Sequence, residues 1–236
     1  MLLDGDTMHD ALTAAGRVLT GTARHPEVAA LQRALDAFAP GVATGCRPIL
    51  PGDEAALHEA EADSIASSIV AVRRASGAAR ALARGLLDGF GHRDVALVRT
   101  ASGAPAWPEG IVGSLAHDQE VAVAAVALRS RIAALGIDVE PADPLPDDIV
   151  DLVMTVAERD GLERGGLDRD PLHGRLLFAA KEAVYKAMHP LEGVFLDFHD
   201  IVVDLAARTA VVPSGRILDL AVCRAPRIVV LALLRA

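Results

Sequence analysis

The chain has 236 residues, 52% apolar but only 3% aromatic, so it is too apolar for disorder and must build its core from Ala, Leu and Val. A formal net charge of −9 argues against nonspecific attraction to nucleic acid or anionic lipid, both of which need surplus cations. Two cysteines far apart, Cys46 and Cys223, give neither a zinc spacing nor a disulfide framework, and the length suits one large domain or two small ones.

Residues 1–40 read as an N-terminal helical extension, one or two Ala/Leu-rich helices ended by "APG". The aspartates of "MLLDGDTMHD" are wrong for a signal peptide, and no stretch approaches the ~20 uninterrupted apolar residues of a membrane span, so the expected location is the cytoplasm. A short apolar run, "RPIL", precedes Pro51. From Asp53 to Leu87 apolar residues recur at helical spacing and stop near the glycines of "DGFGH". "DVALVRT" (94–100) is expected to be a strand, and "ASGAPAWPEG" a turn-rich loop. "IVGSLAH", "VAVAAVAL" and "RIAALGIDVE" are three strand-like runs, the last two close enough to predict a hairpin across Arg129–Arg131. Helical patterns resume over about 147–164 and 171–188, and strand-like runs such as "IVVDL", "TAVV" and "RIVVLALL" fill the end. Helices followed by antiparallel strands thus occur twice. That predicts an α+β protein of two similar lobes, each a small antiparallel sheet packed with helices: 41–130 and 131–236, joined near Arg129–Arg131.

Two segments carry candidate chemistry. In "GIDVEP", Asp138 and Glu140 are two apart in a strand, so both leave the same face. Neighbouring carboxylates repel unless a cation lies between them, and hard oxygen ligands suit Mg²⁺ with waters and substrate phosphate. An edge strand with a solvated acidic face remains the alternative. In "FAAKEAVYKAMHP", Glu182 and Lys186 stand four apart in the order that favours a surface ion pair. Equally, Glu182 could be a third carboxylate, with Lys186 one turn on. Three acids, a lysine and a metal make a phosphoryl-transfer kit, with one acid free to accept a proton.

"GIDVEP", about forty residues before "FAAKEAVYKA", resembles the paired signature of the 4′-phosphopantetheinyl transferases, most nearly the monomeric, two-lobed type named after surfactin and enterobactin biosynthesis. "PAWPEGIVGSLAH" is similar to the family's Trp-Pro…Gly-Ser…His segment, "MTVAERDGL" to its Thr-x-x-Glu-Arg helix, "GVFLDFHDI" to the strand after the lysine helix, and "RRASGAARALAR" to its arginine-rich first helix. The likeness covers roughly residues 45–205. It implies that coenzyme A and Mg²⁺ bind between the lobes, and that the phosphopantetheine arm passes to a serine of an apo acyl or peptidyl carrier protein, releasing adenosine 3′,5′-bisphosphate. By position, Asp138, Glu140 and Glu182 would hold the metal, and Glu182 would also deprotonate the serine. Lys186, and with it Lys181, would face the pyrophosphate; His117 and Arg80 would grip the nucleotide end, with Arg73 a further contact. Tyr185 reads as packing, Trp107 as a cap on the apolar core, and Glu158 and Arg159 as helix-surface charges.

The chain departs from the family in three places. Ala116 stands where a Thr or Ser usually precedes the histidine, Ser102 where a lysine is common, and the arginine helix is one residue short between Arg74 and Arg80. One residue turns a helix by about 100°, which leaves open whether Arg73 or Arg74 faces the ligand. A weaker grip on the nucleotide is expected, with metal and base positions intact. The alternatives are a catalytically idle relative that binds coenzyme A or a carrier domain, and a different metal-dependent phosphotransferase or hydrolase, which leaves the Trp-Pro…His segment unexplained.

Overall fold

The computed structural model describes residues 25–159 and 170–236. Helix α1 (Pro26–Leu35) starts at a proline, which suits the first helical turn, and buries Val28, Leu31, Gln32 and Leu35. Strand β1 (Val42–Pro48), a 3₁₀ turn at Asp53–Ala56, the short helix α2 (Glu59–Asp63) and the long helix α3 (Val70–Asp88) follow. Then come β2 (Ile111–His117), β3 (Val121–Leu128), β4 (Ile132–Pro141), α4 (Asp147–Val153) and α5 (His173–Glu192). The chain ends in β5 (Val202–Asp204), β6 (Thr209–Val211), β7 (Ile217–Cys223) and β8 (Arg227–Arg235). The fold is α+β, with two antiparallel sheets of order β1-β3-β2 and β4-β8-β7-β6-β5.

Strand alternation decides the layers. On β3, Val121, Val123, Ala125 and Ala127 enter a core shared with Leu135, Ile137 and Val139 of β4, Val229 and Leu231 of β8, and α1. The opposite face of β3, Ala124 and Val126, packs on Leu82, Ala83 and Leu86 of α3. The opposite face of the second sheet, including Ala134, Val230 and Ala232, packs on Ala179, Ala183 and Ala187 of α5. The order is therefore helix, sheet, sheet, helix. With so few aromatics the layers close on small side chains, and the central strands β3 and β8 are buried on both faces.

Two strand expectations change. The predicted hairpin does not form: β3 pairs with β1 and β2, whereas β4 pairs with β8, so the chain changes sheets at Arg129–Arg131. β3 is apolar on both faces, and β4 is so up to Ile137; neither run carries a mark of its partner. Residues 94–100 form no strand beyond one bridge, Arg99 to Pro105. A buried charge network takes the ladder's place: Leu97 donates its N–H to Glu61 Oε1 (2.6 Å) and accepts from Arg80 Nε (3.0 Å). The helical stretch from Asp53 is interrupted twice before α3 begins at Val70. Of the expected helices in 1–40, α1 is described and residues 1–24 lie outside the described residues, as do 160–164 of the helical pattern at 147–164. Among the described residues no helix is long and apolar enough to cross a membrane.

Candidate active site

The site begins with a close approach that only glycine allows. A Cβ on Gly136 of β4 would lie 1.8 Å from the carbonyl oxygen of Ala183, so α5 rests directly on β4 backbone. Even-numbered residues of β4 share that face, which sends Asp138 and Glu140 toward the helix. There Lys186 Nζ donates to Asp138 Oδ1 at 2.5 Å, and Arg175 Nη1 donates to Glu140 Oε2 at 2.9 Å. Arg175, Glu182 and Lys186 follow one another on α5 at spacings of seven and four, one side of the helix.

The acids outweigh their partners. Asp138 is 5% exposed, and its Oδ2 is buried with no hydrogen-bond partner. Burial pushes its carboxyl above the usual range, with Lys186 and more weakly His117 pulling it back. Burial also raises Glu140, the Asp138 charge adds to the rise, and Arg175 opposes it. Glu182 is raised by burial too, with Lys186 and Asp138 acting in opposite directions. Glu140 and Glu182 thus each sense the charge of Asp138, with too little cation nearby to offset it. That donor set and the orphaned Oδ2 fit a hard divalent ion. Among the described residues no group of three or more His, Cys, Asp or Glu side chains stands close enough together to hold a metal ion. Magnesium, which keeps several waters and takes phosphate oxygens, needs no such group.

The remaining expected residues divide. His117 is exposed at the end of β2, its Nδ1 3.2 Å from the Asp118 carbonyl oxygen, and its charge reaches Asp138. Arg74 is paired with Glu54 at 3.0 Å, whereas Arg73 Nε is buried without a partner. Arg80 differs from expectation: its guanidinium is buried and donates to the Leu97 carbonyl and to Ser76, with Glu61 3.9 Å away. Through Nε it holds the 94–100 segment, and Nη1 is taken by Ser76. Lys181 differs as well. It is wholly buried, donating to the Val153 carbonyl and to Glu158 Oε2, both at 2.8 Å. One residue of helix, about 100°, turns it off the Glu182 face. Its partner Glu158 is therefore an internal anchor and not a surface charge; its Oε1 also accepts from Val203 N–H at 3.2 Å. Arg159 does lie outside, 2.6 Å from Asp151.

A cavity of about 340 Å³ opens beside Lys186, between the 102–107 loop, β2, the start of β4 and the end of α5. Trp107 forms one wall and packs flat where a Cβ on Gly113 would come within 2.7 Å of its ring. Tyr185, with His189 stacked on it at 5.1 Å, forms another. On the far side of Tyr185 a smaller hollow of about 200 Å³ touches Glu182, with exposed Phe195 at its rim. Arg175 was not singled out from the sequence, although its helical spacing to Glu182 is readable there. Asp118, which acts electrostatically on Glu140, had no such signal.

Two family models match in tandem: the 4′-phosphopantetheinyl transferase N-terminal domain over residues 59–127, and the 4′-phosphopantetheinyl transferase superfamily over 134–229. The 4′-phosphopantetheinyl transferase Svp of Streptomyces mobaraensis is 44% identical over 122 residues, 51% of this chain and 50% of that protein. The 4′-phosphopantetheinyl transferase Npt of Nocardia iowensis is 42% identical over 144 residues, 61% of this chain and 64% of its own length. The 4′-phosphopantetheinyl transferase PptT of Mycobacterium tuberculosis (strain ATCC 25618 / H37Rv) is 38% identical over 143 residues, 59% and 61%. The chain therefore spans between half and just under two-thirds of the length of these relatives.

Proposed function

We propose, from the premise that this chain belongs to the 4′-phosphopantetheinyl transferase superfamily, that it moves the 4′-phosphopantetheine arm of coenzyme A to a serine of an apo acyl or peptidyl carrier protein. In that reaction the serine oxygen bonds to the phosphorus bearing the pantetheine. The bond from that phosphorus to its bridging oxygen breaks, and adenosine 3′,5′-bisphosphate leaves. The reading is carried by one observation: β4 and α5 meet at Gly136 and bring Asp138, Glu140, Glu182 and Lys186 to a single face, with one acid oxygen left unpartnered.

Asp138, Glu140 and Glu182 would hold Mg²⁺, which when bound draws in and aligns the pyrophosphate oxygens. Glu182 takes the serine proton; its raised pKa brings it nearer the working pH, where a general base is most effective. Lys186 neutralises charge building on the leaving phosphate, and Asp138 keeps its Nζ aimed there. His117 and Arg73 contact the nucleotide end. The protein works as a cytoplasmic monomer of two lobes, 41–130 and 131–236.

A second reading, a coenzyme A- or carrier-binding module without transfer, is favoured by the inward-turned Arg80 and Lys181 together with Ala116 and Ser102. One experiment separates them. The purified chain is incubated with coenzyme A, Mg²⁺ and a panel of apo carrier proteins and read by intact mass. Gain of one phosphopantetheine arm is the expected outcome; tight coenzyme A binding without transfer to any carrier favours the second reading.

A further inference from the structure

The β2–β3 turn belongs to the three-stranded sheet, yet it brings His117 and Asp118 to the acids of the other sheet. His117 acts on Asp138, and Asp118 acts on Glu140. The turn is shaped by Asp118, whose Oδ1 accepts from the N–H groups of Glu120 and Val121, each at 2.7 Å. Asp118 N–H in turn donates to the Val121 carbonyl at 3.0 Å. The second oxygen, Oδ2, is buried and makes no aligned hydrogen bond; what faces it is Arg227 Nη1 at 3.1 Å. The same guanidinium meets Glu120 through Nη2. Arg227 opens β8 opposite Pro141, one register pair beyond Glu140 and Ile228. Among the described residues no other ion pair joins residues before Arg129 to residues after it.

We infer that Arg227 is a positioning residue: it clasps the β2–β3 turn to the second sheet and so keeps His117 turned toward the acid cluster where the nucleotide end of coenzyme A arrives. The inference rests on the reading of this cleft as a coenzyme A site. Its physical basis is charge. Asp118 and Glu120 put two negative charges on a turn beside an already acidic site that is to receive a polyphosphate. Arg227 compensates both from the opposite sheet. Without it the buried Asp118 carboxylate loses its counter-charge, and the turn must swing toward water to rehydrate it.

The test compares the wild-type chain with Arg227→Ala, Arg227→Lys, His117→Ala and the Arg227→Ala/His117→Ala double variant. Coenzyme A is titrated by calorimetry with Mg²⁺ present, and amide hydrogen exchange is followed over residues 117–121. Arg227→Ala is expected to weaken coenzyme A about 10–100-fold, the usual effect of removing a group that orients a ligand contact, and to speed exchange at Glu120 and Val121. Arg227→Lys recovers part of the affinity. In the His117→Ala background Arg227→Ala costs clearly less than it does alone, because the part of its influence that passes through that ring is already gone. Wild-type affinity in Arg227→Ala, or losses that simply add in the double variant, overturns the inference. Should Arg227→Ala fail to fold, Arg227→Lys and Asp118→Asn carry the same comparison. A wild-type chain that binds no coenzyme A sinks the proposed function instead. The exchange data then still decide the clasp: unchanged protection of the turn in Arg227→Ala refutes it, faster exchange supports it.

Discussion

Glu61 and Asp138 are both acids inside the protein, one in each half, and their surroundings are opposite. Glu61, wholly buried, accepts from Arg84 Nη1 with both oxygens (2.9 and 3.1 Å), from Leu97 N–H at 2.6 Å and from His58 N–H at 2.9 Å. Asp138 has one close cation and an oxygen with nothing to bind. The first acid ties α2, α3 and the segment that fails to become a strand into one body. The second sits on a rigid strand against a rigid helix with a capacity the fold leaves unused. A buried acid whose demands are met is structural; one held in place with a demand unmet is set for something that arrives later.

The sharpest test of that contrast is a pair of isosteric changes. Glu182→Gln, at the under-compensated site, is expected to reduce transfer by about 10²–10⁴-fold, the usual contribution of a general base, while the melting temperature holds. Transfer at the wild-type rate would remove Glu182 from the mechanism. Glu61→Gln should do the reverse. It strips the counter-charge from a nearly buried Arg84 and lowers stability by ~3–5 kcal/mol, seen as an earlier urea midpoint. If Glu61→Gln melts normally, the network around it is not the brace described above.

A smaller effect concerns the acids without their ligand. Asp138, Glu140 and Glu182 all have raised pKa values in the folded chain, chiefly from burial. A raised carboxyl binds protons more readily folded than unfolded. Its favourable contribution is complete below the ordinary carboxylate range, about pH 4, and fades as pH climbs through the raised values. Asp138→Asn should therefore stabilise the metal-free protein at neutral pH, by ~1–3 kcal/mol, because a neutral amide replaces an under-satisfied charge while Lys186, 29% exposed, keeps some contact with water. The gain should shrink toward pH 4. Adding Mg²⁺ should raise the melting temperature of the wild type and leave that of Asp138→Asn where it was. A variant less stable than wild type at neutral pH without metal contradicts this account.

The same contrast explains what could be read from the chain. Asp138 and Glu140 were legible because a strand repeats every two residues, and Glu182 with Lys186 because a helix returns after four. The α+β class followed from the alternation of apolar patterns along the chain. Arg80 and Lys181 were misjudged because residue type and neighbourhood say nothing of azimuth: each lies on the core side of its helix, and its partner, Glu61 or Glu158, is about twenty residues distant. The same limit hid the sheet change after β3. β3, apolar on both faces, reads as a central strand without naming its neighbours, and β4, at the edge of its sheet, names none either. Among the ion pairs of the described residues, Asp118–Arg227 spans the longest stretch of chain, and nothing local marks either end.

Arg175 offers the finest cut. It lies between the two kinds of acid described above, because it gives Glu140 the partner that Asp138 Oδ2 lacks, at 2.9 Å and with both side chains partly solvated. Such a pair contributes modestly, ~0.2–1 kcal/mol, so Arg175→Gln should fold normally. Its electrostatic effect still has a sign. Arg175 now opposes the rise of the Glu140 pKa, so removing it lets that carboxyl titrate at higher pH. The acidic limb of the transfer pH profile should move upward by less than about one unit, with the rate at alkaline pH nearly unchanged. A limb that stays in place means that Glu140 is already proton-free throughout the working range, and that Asp138 and Glu182 alone set the acid dependence. A limb that moves down means Arg175 acts on the substrate phosphate more than on Glu140, which would make it a second basic contact on the face that Glu182 and Lys186 share.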